Sequence, residues 1–254
     1  MFIISFVLSL SVSLFSQNTY GGHQENLIED ELRKDLKQMT LQNHIQKHSY
    51  KKARKYIMQV VHLEQDNVGF FVKDVYCNIE YRKKIGPSFM PSHTKINIEH
   101  TWPRSRMGEN KKGPKYKQME ADLHHLYPTN SKANSVRGNH IFSSFKDFDY
   151  LDIFRAFELY NCSSSKKSYN DVAGKEAFEP PNEHKGNVAR ALFYIAVRYD
   201  LEISEHEEAF LREWNKFDPV DEAEMARNNA IELIQGNRNP FIDDAEHADF
   251  IENF

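Results

Sequence analysis

Cysteine is nearly absent: the 254 residues include only Cys77 and Cys162. Two thiols are too few for a structural zinc site built on thiolates. They permit at most one disulfide, which depends on a separation in space that sequence does not state. Long apolar runs are equally scarce. Only Met1–Ser16 is apolar or hydroxylated throughout, and it is shorter than a bilayer-spanning helix needs. It reads as the hydrophobic part of a secretory signal with cleavage after Ser16, although no Lys or Arg precedes it; the other reading is a buried N-terminal element. No other segment could cross a membrane, so no membrane association is expected once the signal is removed. Excess positive charge is missing too, since the formal net charge is −4. There is no internal repeat, low-complexity linker or compositional break. The expectation is a signal peptide at 1–16 followed by a single domain over 17–254, with nothing that demands a dimer.

What is present fits a folded chain. Hydrophobic residues make up 40% and charged residues 28%, which excludes disordered and membrane classes, and the length allows a sizeable core. Net charge sums over the whole surface, whereas a nucleic acid meets one face. Between Arg104 and Lys117 stand Arg104, Arg106, Lys111, Lys112, Lys115 and Lys117, opposed only by Glu109. Further basic runs are Lys51-Lys52-Ala53-Arg54-Lys55 and Arg82-Lys83-Lys84, while Asp243, Asp244, Glu246, Asp249 and Glu252 gather in the tail. A solvated surface explains any one such run; the position of Arg104–Lys117 between two halves of a candidate site points further.

Apolar residues at helical spacing predict helices over 25–45, 50–63, 184–199, 204–217 and 219–235, the third with Val188, Ala191, Leu192, Ile195 and Tyr199 on one face. Phe70–Cys77 reads as a strand after the turn Asp66–Gly69, and Lys84–His93 as a connecting loop. Lys95–Glu99 and Leu123–Tyr127 alternate and could pair as antiparallel neighbours. Pro128-Thr129-Asn130-Ser131 offers helix-start chemistry, and Gly138 an early stop. Ser143–Pro181 reads as irregular.

Three fragments carry chemistry: Glu99-His100-Thr101-Trp102-Pro103-Arg104, Asp122-Leu123-His124-His125-Leu126-Tyr127-Pro128, and Asn134-Ser135-Val136-Arg137-Gly138-Asn139. Phosphodiester hydrolysis needs a base for water, neutralisation of charge at phosphorus and a stabilised leaving oxygen. A neutral imidazole suits the first task; a hard divalent cation suits the others and prefers oxygen ligands, such as Glu99 and Asn134. Adjacent strand residues point to opposite faces, so Glu99 and His100 could share a site only at a strand end. His124 and His125, on an expected strand, would face opposite ways, one bracing the site or both structural. Asp122 could orient a histidine, bind water near the metal or stabilise a turn. His206-Glu207-Glu208-Ala209-Phe210 begins like a zinc-protease helix motif but has Phe in place of the second histidine.

With Asn97-Ile98-Glu99-His100-Thr101-Trp102-Pro103 and the two downstream fragments, the chain resembles the bacterial endonuclease I family. Lys185-Gly186-Asn187-Val188-Ala189-Arg190 and Gly236-Asn237-Arg238-Asn239-Pro240-Phe241-Ile242-Asp243 extend the resemblance, which runs from about Ala53 to Asp243. It implies an α+β fold, mainly helical, around a ββα-metal (His-Me finger) core with a small antiparallel sheet. It also implies a secreted or periplasmic endonuclease that cuts DNA, and RNA, with little sequence preference and leaves 5′-phosphate ends. By position His100 matches the general base, and Glu99 and Asn134 the ligands of Mg²⁺, with Mn²⁺ or Ca²⁺ as alternatives. A phosphate-binding arginine is expected; Arg104, Arg137 or Lys112 could serve, with Asp122 and His124 as site support. The family's well-known members carry several disulfides, which two cysteines cannot reproduce. Two other classes stay open: a zinc hydrolase using His100, His124 and His125, and a nucleic-acid-binding protein without catalysis.

Overall fold

The computed structural model describes residues 21–44, 48–108, 110–111, 113–145, 162, 164–171 and 173–254. The expected signal at Met1–Ser16 and Lys112 lie outside these. The helices are α1 (Gly21–Leu41), α2 (Tyr50–Tyr56), α3 (Pro114–Glu120), α4 (Ser131–Arg137), α5 (Lys185–Tyr199), α6 (Glu205–Phe217), α7 (Glu222–Gln235) and α8 (Pro240–Asp243). Helix α2 continues as a π-helical turn, Ile57–Val61. The strands are β1 (Glu64–Asp66), β2 (Gly69–Lys73), β3 (Glu80–Tyr81), β4 (Ile96–His100), β5 (Leu126–Asn130), β6 (Ile141–Phe142), β7 (Lys166–Asn170) and β8 (Lys175–Glu179). They form three small sheets, β1-β2-β3, β4-β5 and β6-β8-β7. The fold is α+β, as the sequence implies.

Helix α5 is the axis of the larger core. It differs from the expected one-faced helix, because every residue except Asn187 is buried. A helix this enclosed can hold charge only if the charge is paired. Lys185 pairs with Glu179, Arg190 with Glu224 and Arg198 with Asp122. Helices α1, α6 and α8 pack around it. At Gly186 a Cβ would lie 1.9 Å from the carbonyl oxygen of Asp218, so only glycine lets α5 approach that loop. A smaller core, with Ala53, Ile57, Val72, Ile96, Ile98, Leu123 and Leu126, joins α2 to the β4-β5 pair.

That pair is antiparallel, with Ile98 opposite Pro128 and His100 opposite Leu126. The expected second strand begins late: Leu123–His125 is a 3-10 turn, held by Asp122, whose Oδ1 accepts the His124 N–H at 3.2 Å. Alternation across Leu123–Leu126 therefore does not describe His124 and His125, and both are buried. Helix α4 starts as read, with the Asn130 side chain accepting from the backbone of Lys132 and Ala133, and Gly138 ends it at φ +56. The strand Phe70–Cys77 stops at Lys73, since the Asp74 carboxylate accepts the backbone N–H groups of Tyr76, Cys77 and Ile79 and folds the chain into a turn.

The described part of Ser143–Pro181 is not irregular. Strands β7 and β8 form a hairpin that β6 joins in parallel. Lys, Ser and Asn on β7 have low strand propensity, and the hairpin is held by its buried Ala177 and Phe178 and by the Lys167–Glu176 ion pair at 3.0 Å. Cys77 and Cys162 form a disulfide. It ties the approach to this hairpin to the loop carrying Tyr76, where Ser165 Oγ also donates to the Tyr76 carbonyl at 2.7 Å.

Candidate active site

Strand β4 ends at His100, β5 returns beside it, and α4 crosses the open end. Their side chains meet in a cleft of about 530 Å³ whose lining includes Asn97, Glu99, His100, Asn134 and Arg137. Glu99 and His100 do share one site: His100 is the last residue of β4, where alternation ceases to separate the two side chains.

Glu99 is buried. Its Oε1 takes the Tyr76 hydroxyl at 2.9 Å and lies 3.2 Å from Arg137 Nε. Among the described residues nothing bonds its Oε2. Burial raises the carboxyl's pKa, while Arg137 and Tyr76 pull it back. Asn134 spends its amide nitrogen on Asn97 Oδ1 (2.8 Å) and the Ile98 carbonyl (3.1 Å), which turns its Oδ1 away from both and without a partner among the described residues. A carboxylate oxygen and an amide oxygen, both lacking partners and lining one cleft, make a donor set that fits a hard divalent cation. Among the described residues no group of three or more His, Cys, Asp or Glu is placed to hold a metal ion. Such a cation would complete its shell with water.

His100 Nε2 stands 3.0 Å from the carbonyl of Glu120, at the end of α3. A carbonyl only accepts, so Nε2 carries the proton and Nδ1 keeps its lone pair. Nδ1 has no partner among the described residues and is not sealed from solvent, unlike Nδ1 of His124 and His125. The ring packs against Tyr50 (5.1 Å between centroids) and edge-on to His125 (5.4 Å). Burial, then the nearby His125, hold its pKa well below the ordinary value, so the imidazole is neutral.

The three phosphate-binding candidates fare differently. Arg104 lines the cleft mouth with a half-exposed side chain, paired with Glu120 at 2.5 Å and donating to Tyr116 at 3.3 Å. Arg137 is buried and already used. Its Nη2 donates to the Thr101 carbonyl (2.6 Å) and its Nη1 to those of His100 and Gly138 (both 3.3 Å), while Nε faces Glu99. It braces the end of β4 and is spent on that task. Lys112 is outside the described residues.

Asp122 and His124 are not in the cleft lining. Asp122 Oδ2 accepts Tyr194 and Tyr199 hydroxyls at 2.9 and 2.8 Å and pairs with Arg198 at 3.2 Å, while Oδ1 accepts from Gln235 at 2.8 Å. It joins the 3-10 turn to α5 and α7, a structural hub behind the site. His124 Nε2 meets the Asn237 carbonyl and His125 Nε2 that of Met119. These imidazoles turn to different carbonyls, so a zinc site on His100, His124 and His125 gains no support. Glu207, from the zinc-protease-like stretch, is buried against Arg106 and the Phe142 N–H.

Tyr50 and Arg54 of α2 and His93 also line the cleft. The basic run containing Arg54 is visible in the sequence, but nothing local joins it to a site so far downstream.

The buried histidines set an acid limit on the fold. Burial pushes the pKa of both His124 and His184 down to about 3. The unfolded chain, with imidazoles near 6.5, binds more protons than the folded one below that pH. Their contribution is complete above pH 6.5 and is lost as pH falls towards about 3, at roughly 1.4 kcal/mol per pH unit for each. Asp122, held well below the carboxylate range, keeps its contribution in this window, while Glu99 and Glu224, raised by burial, act in the opposite sense. His125, pushed down to about 4, and His62 and His100, also lowered by burial, act in the same direction. Urea denaturation should therefore show stability falling by several kcal/mol between pH 7 and pH 4.5; a flat or rising stability would show that these imidazoles are protonated when folded.

The chain is similar to known proteins. A family model described as Endonuclease I matches residues 29–246. Over 175 residues the chain is 38% identical to the extracellular ribonuclease of Bacillus subtilis, covering 61% of this chain and 53% of that protein. It is 30% identical to Endonuclease-1 of Buchnera aphidicola, covering 59% of this chain and 60% of that one. Against an extracellular deoxyribonuclease of Aeromonas hydrophila the identity is 25%, over 66% of this chain and 78% of the other. The chain spans about half the length of the Bacillus relative it matches.

Proposed function

The chain belongs to the endonuclease I family, and from that membership we propose that it is a secreted or periplasmic, metal-dependent endonuclease. It hydrolyses phosphodiester bonds of DNA and RNA with little sequence preference, leaves 5′-phosphate ends and acts as a monomer. The observation that carries this reading is that Glu99, His100 and Asn134 line one cleft, and that each keeps an atom without a partner among the described residues: Glu99 Oε2, Asn134 Oδ1 and His100 Nδ1. Relatives named as ribonuclease and deoxyribonuclease support both substrates. Their extracellular naming supports export.

In this reading His100 Nδ1 takes a proton from the attacking water as the water's oxygen bonds to phosphorus. The bond to the 3′ oxygen breaks, and that oxygen leaves with a proton supplied by water. The Glu120 carbonyl holds the Nε2 proton and so fixes the tautomer that leaves Nδ1 basic. Glu99 and Asn134 would hold Mg²⁺, or Mn²⁺ or Ca²⁺, which neutralises charge on the phosphate and the leaving oxygen. Arg137 favours the ionised form of Glu99 against the effect of burial, and locks the backbone on which His100 sits. Arg104 adds positive charge at the cleft mouth.

The test is incubation of purified protein with circular plasmid and with RNA, in Mg²⁺ or EDTA. Cutting in Mg²⁺ that stops in EDTA is expected. Intact nucleic acid in every lane, with salt-sensitive binding alone, would leave a binding protein and remove the enzyme.

A further inference from the structure

Helix α2 supplies a cationic wall to the cleft that no step above uses. Its inner face is fixed, because Ala53 and Ile57 are fully buried in the smaller core with Ile96 and Ile98 of the β4 end. One turn apart on the neighbouring face, Tyr50 and Arg54 line the cleft, Tyr50 against the His100 ring. Beyond them Lys51 and Lys55 are exposed. Arg54 is half-buried, yet among the described residues it makes no ion pair and no side-chain hydrogen bond. The other two guanidinium groups in the lining are compensated, Arg104 by Glu120 and Arg137 by Glu99 with three backbone carbonyls. Charged side chains are almost never fully buried without a partner; Arg54, half-buried and unpaired at the cleft, keeps its planar fork free to match a phosphate through paired hydrogen bonds.

We propose that Arg54 is the phosphate anchor of the cleft. It grips the backbone of the nucleic acid beside the reacting phosphate, and the strand continues along α2 past Lys51 and Lys55. The inference rests on the nuclease reading and adds to it the residue that positions substrate and the direction in which substrate leaves. Arg54 has no role in moving the proton, so its loss falls on binding.

The experiment measures binding of labelled duplexes of several sequences to the full chain carrying His100→Ala, which leaves substrate uncut. It is done with and without Arg54→Ala, Arg54→Gln or Arg54→Lys, across about 50 to 200 mM salt. Arg54→Ala and Arg54→Gln should weaken binding by about 10-fold, equally for every sequence, and reduce the slope of log affinity against log salt by about one. Arg54→Lys should keep the slope, and melting temperatures should be unchanged. In the catalytically intact protein the loss should appear in KM with kcat nearly preserved. An unchanged affinity and slope in Arg54→Ala, while the His100→Ala parent still binds, would overturn the anchor alone. Weaker binding with an unchanged slope and a lowered melting temperature would overturn it in favour of a structural role. Failure of the parent to bind any nucleic acid would remove the nuclease reading and the anchor together.

Discussion

Replacing His100 by alanine is expected to lower kcat on a labelled oligonucleotide by about 10²–10⁴-fold, the usual share of a general base. KM should move little, because the ring touches no phosphate-binding group. The prediction rests on what holds the imidazole. Its Nε2 proton is tied to the Glu120 carbonyl, so the ring has one orientation, and its Nδ1 has no partner among the described residues. Burial, with His125 beside it, keeps the ring neutral and able to accept a proton. His100→Ala leaves a gap against Tyr50 and His125, so its melting temperature is the necessary control. A loss below about 10-fold in a protein that melts like the parent would place the base elsewhere. His125 is not a ready substitute, since its Nε2 is held by the Met119 carbonyl and its Nδ1 is sealed from solvent.

The largest expected effect on stability comes from Asp122→Ala. The carboxylate is fully buried and accepts from Tyr194, Tyr199, Gln235 and the His124 N–H while pairing with Arg198. Removing it strands the buried Arg198 charge and several donors at once. Breaking one partner of such a pair costs about 3–5 kcal/mol. The urea midpoint should fall accordingly at constant slope. Because the 3-10 turn leads directly into β5, any folded remnant should also lose the register that brings Leu126 opposite His100. Asp122→Asn, which keeps the volume but not the charge, should recover only part of the loss, because Arg198 stays unpaired. A cost under about 1 kcal/mol for Asp122→Ala would mean that the network is not a hub.

Much of this molecule is legible in its sequence, and the rest is hidden for definable reasons. Helices α1, α2, α5, α6 and α7 follow apolar spacing, and α4 is bracketed by Asn130 and Gly138, residues whose capping chemistry is local. The central cluster is equally legible, because Glu99 and His100 are neighbours and Asn134 follows the returning strand. The β7-β8 hairpin is hidden by polar strands that owe their pairing to a neighbour, β6. The enclosure of α5 is hidden because its Lys185, Arg190 and Arg198 read as a solvent face until partners from three other segments are in place. Arg137 shows the limit most clearly. As a residue type it suits a phosphate, but which carbonyls it meets depends on how the chain turns after His100. Arg54 is the converse: nothing near it in sequence marks a site, and only the packing of α2 against β4 brings it to the cleft.

Anomalous diffraction from crystals soaked in Mn²⁺ tests the cation assignment most directly. A single Mn²⁺ peak between Glu99 Oε2 and Asn134 Oδ1, at about 2.0–2.3 Å from each and absent from Glu99→Ala crystals, is the expected result. A peak among the rings of His100, His124 and His125 would contradict it and restore a histidine-held metal. So would no peak in the cleft under conditions where the same preparation cuts DNA.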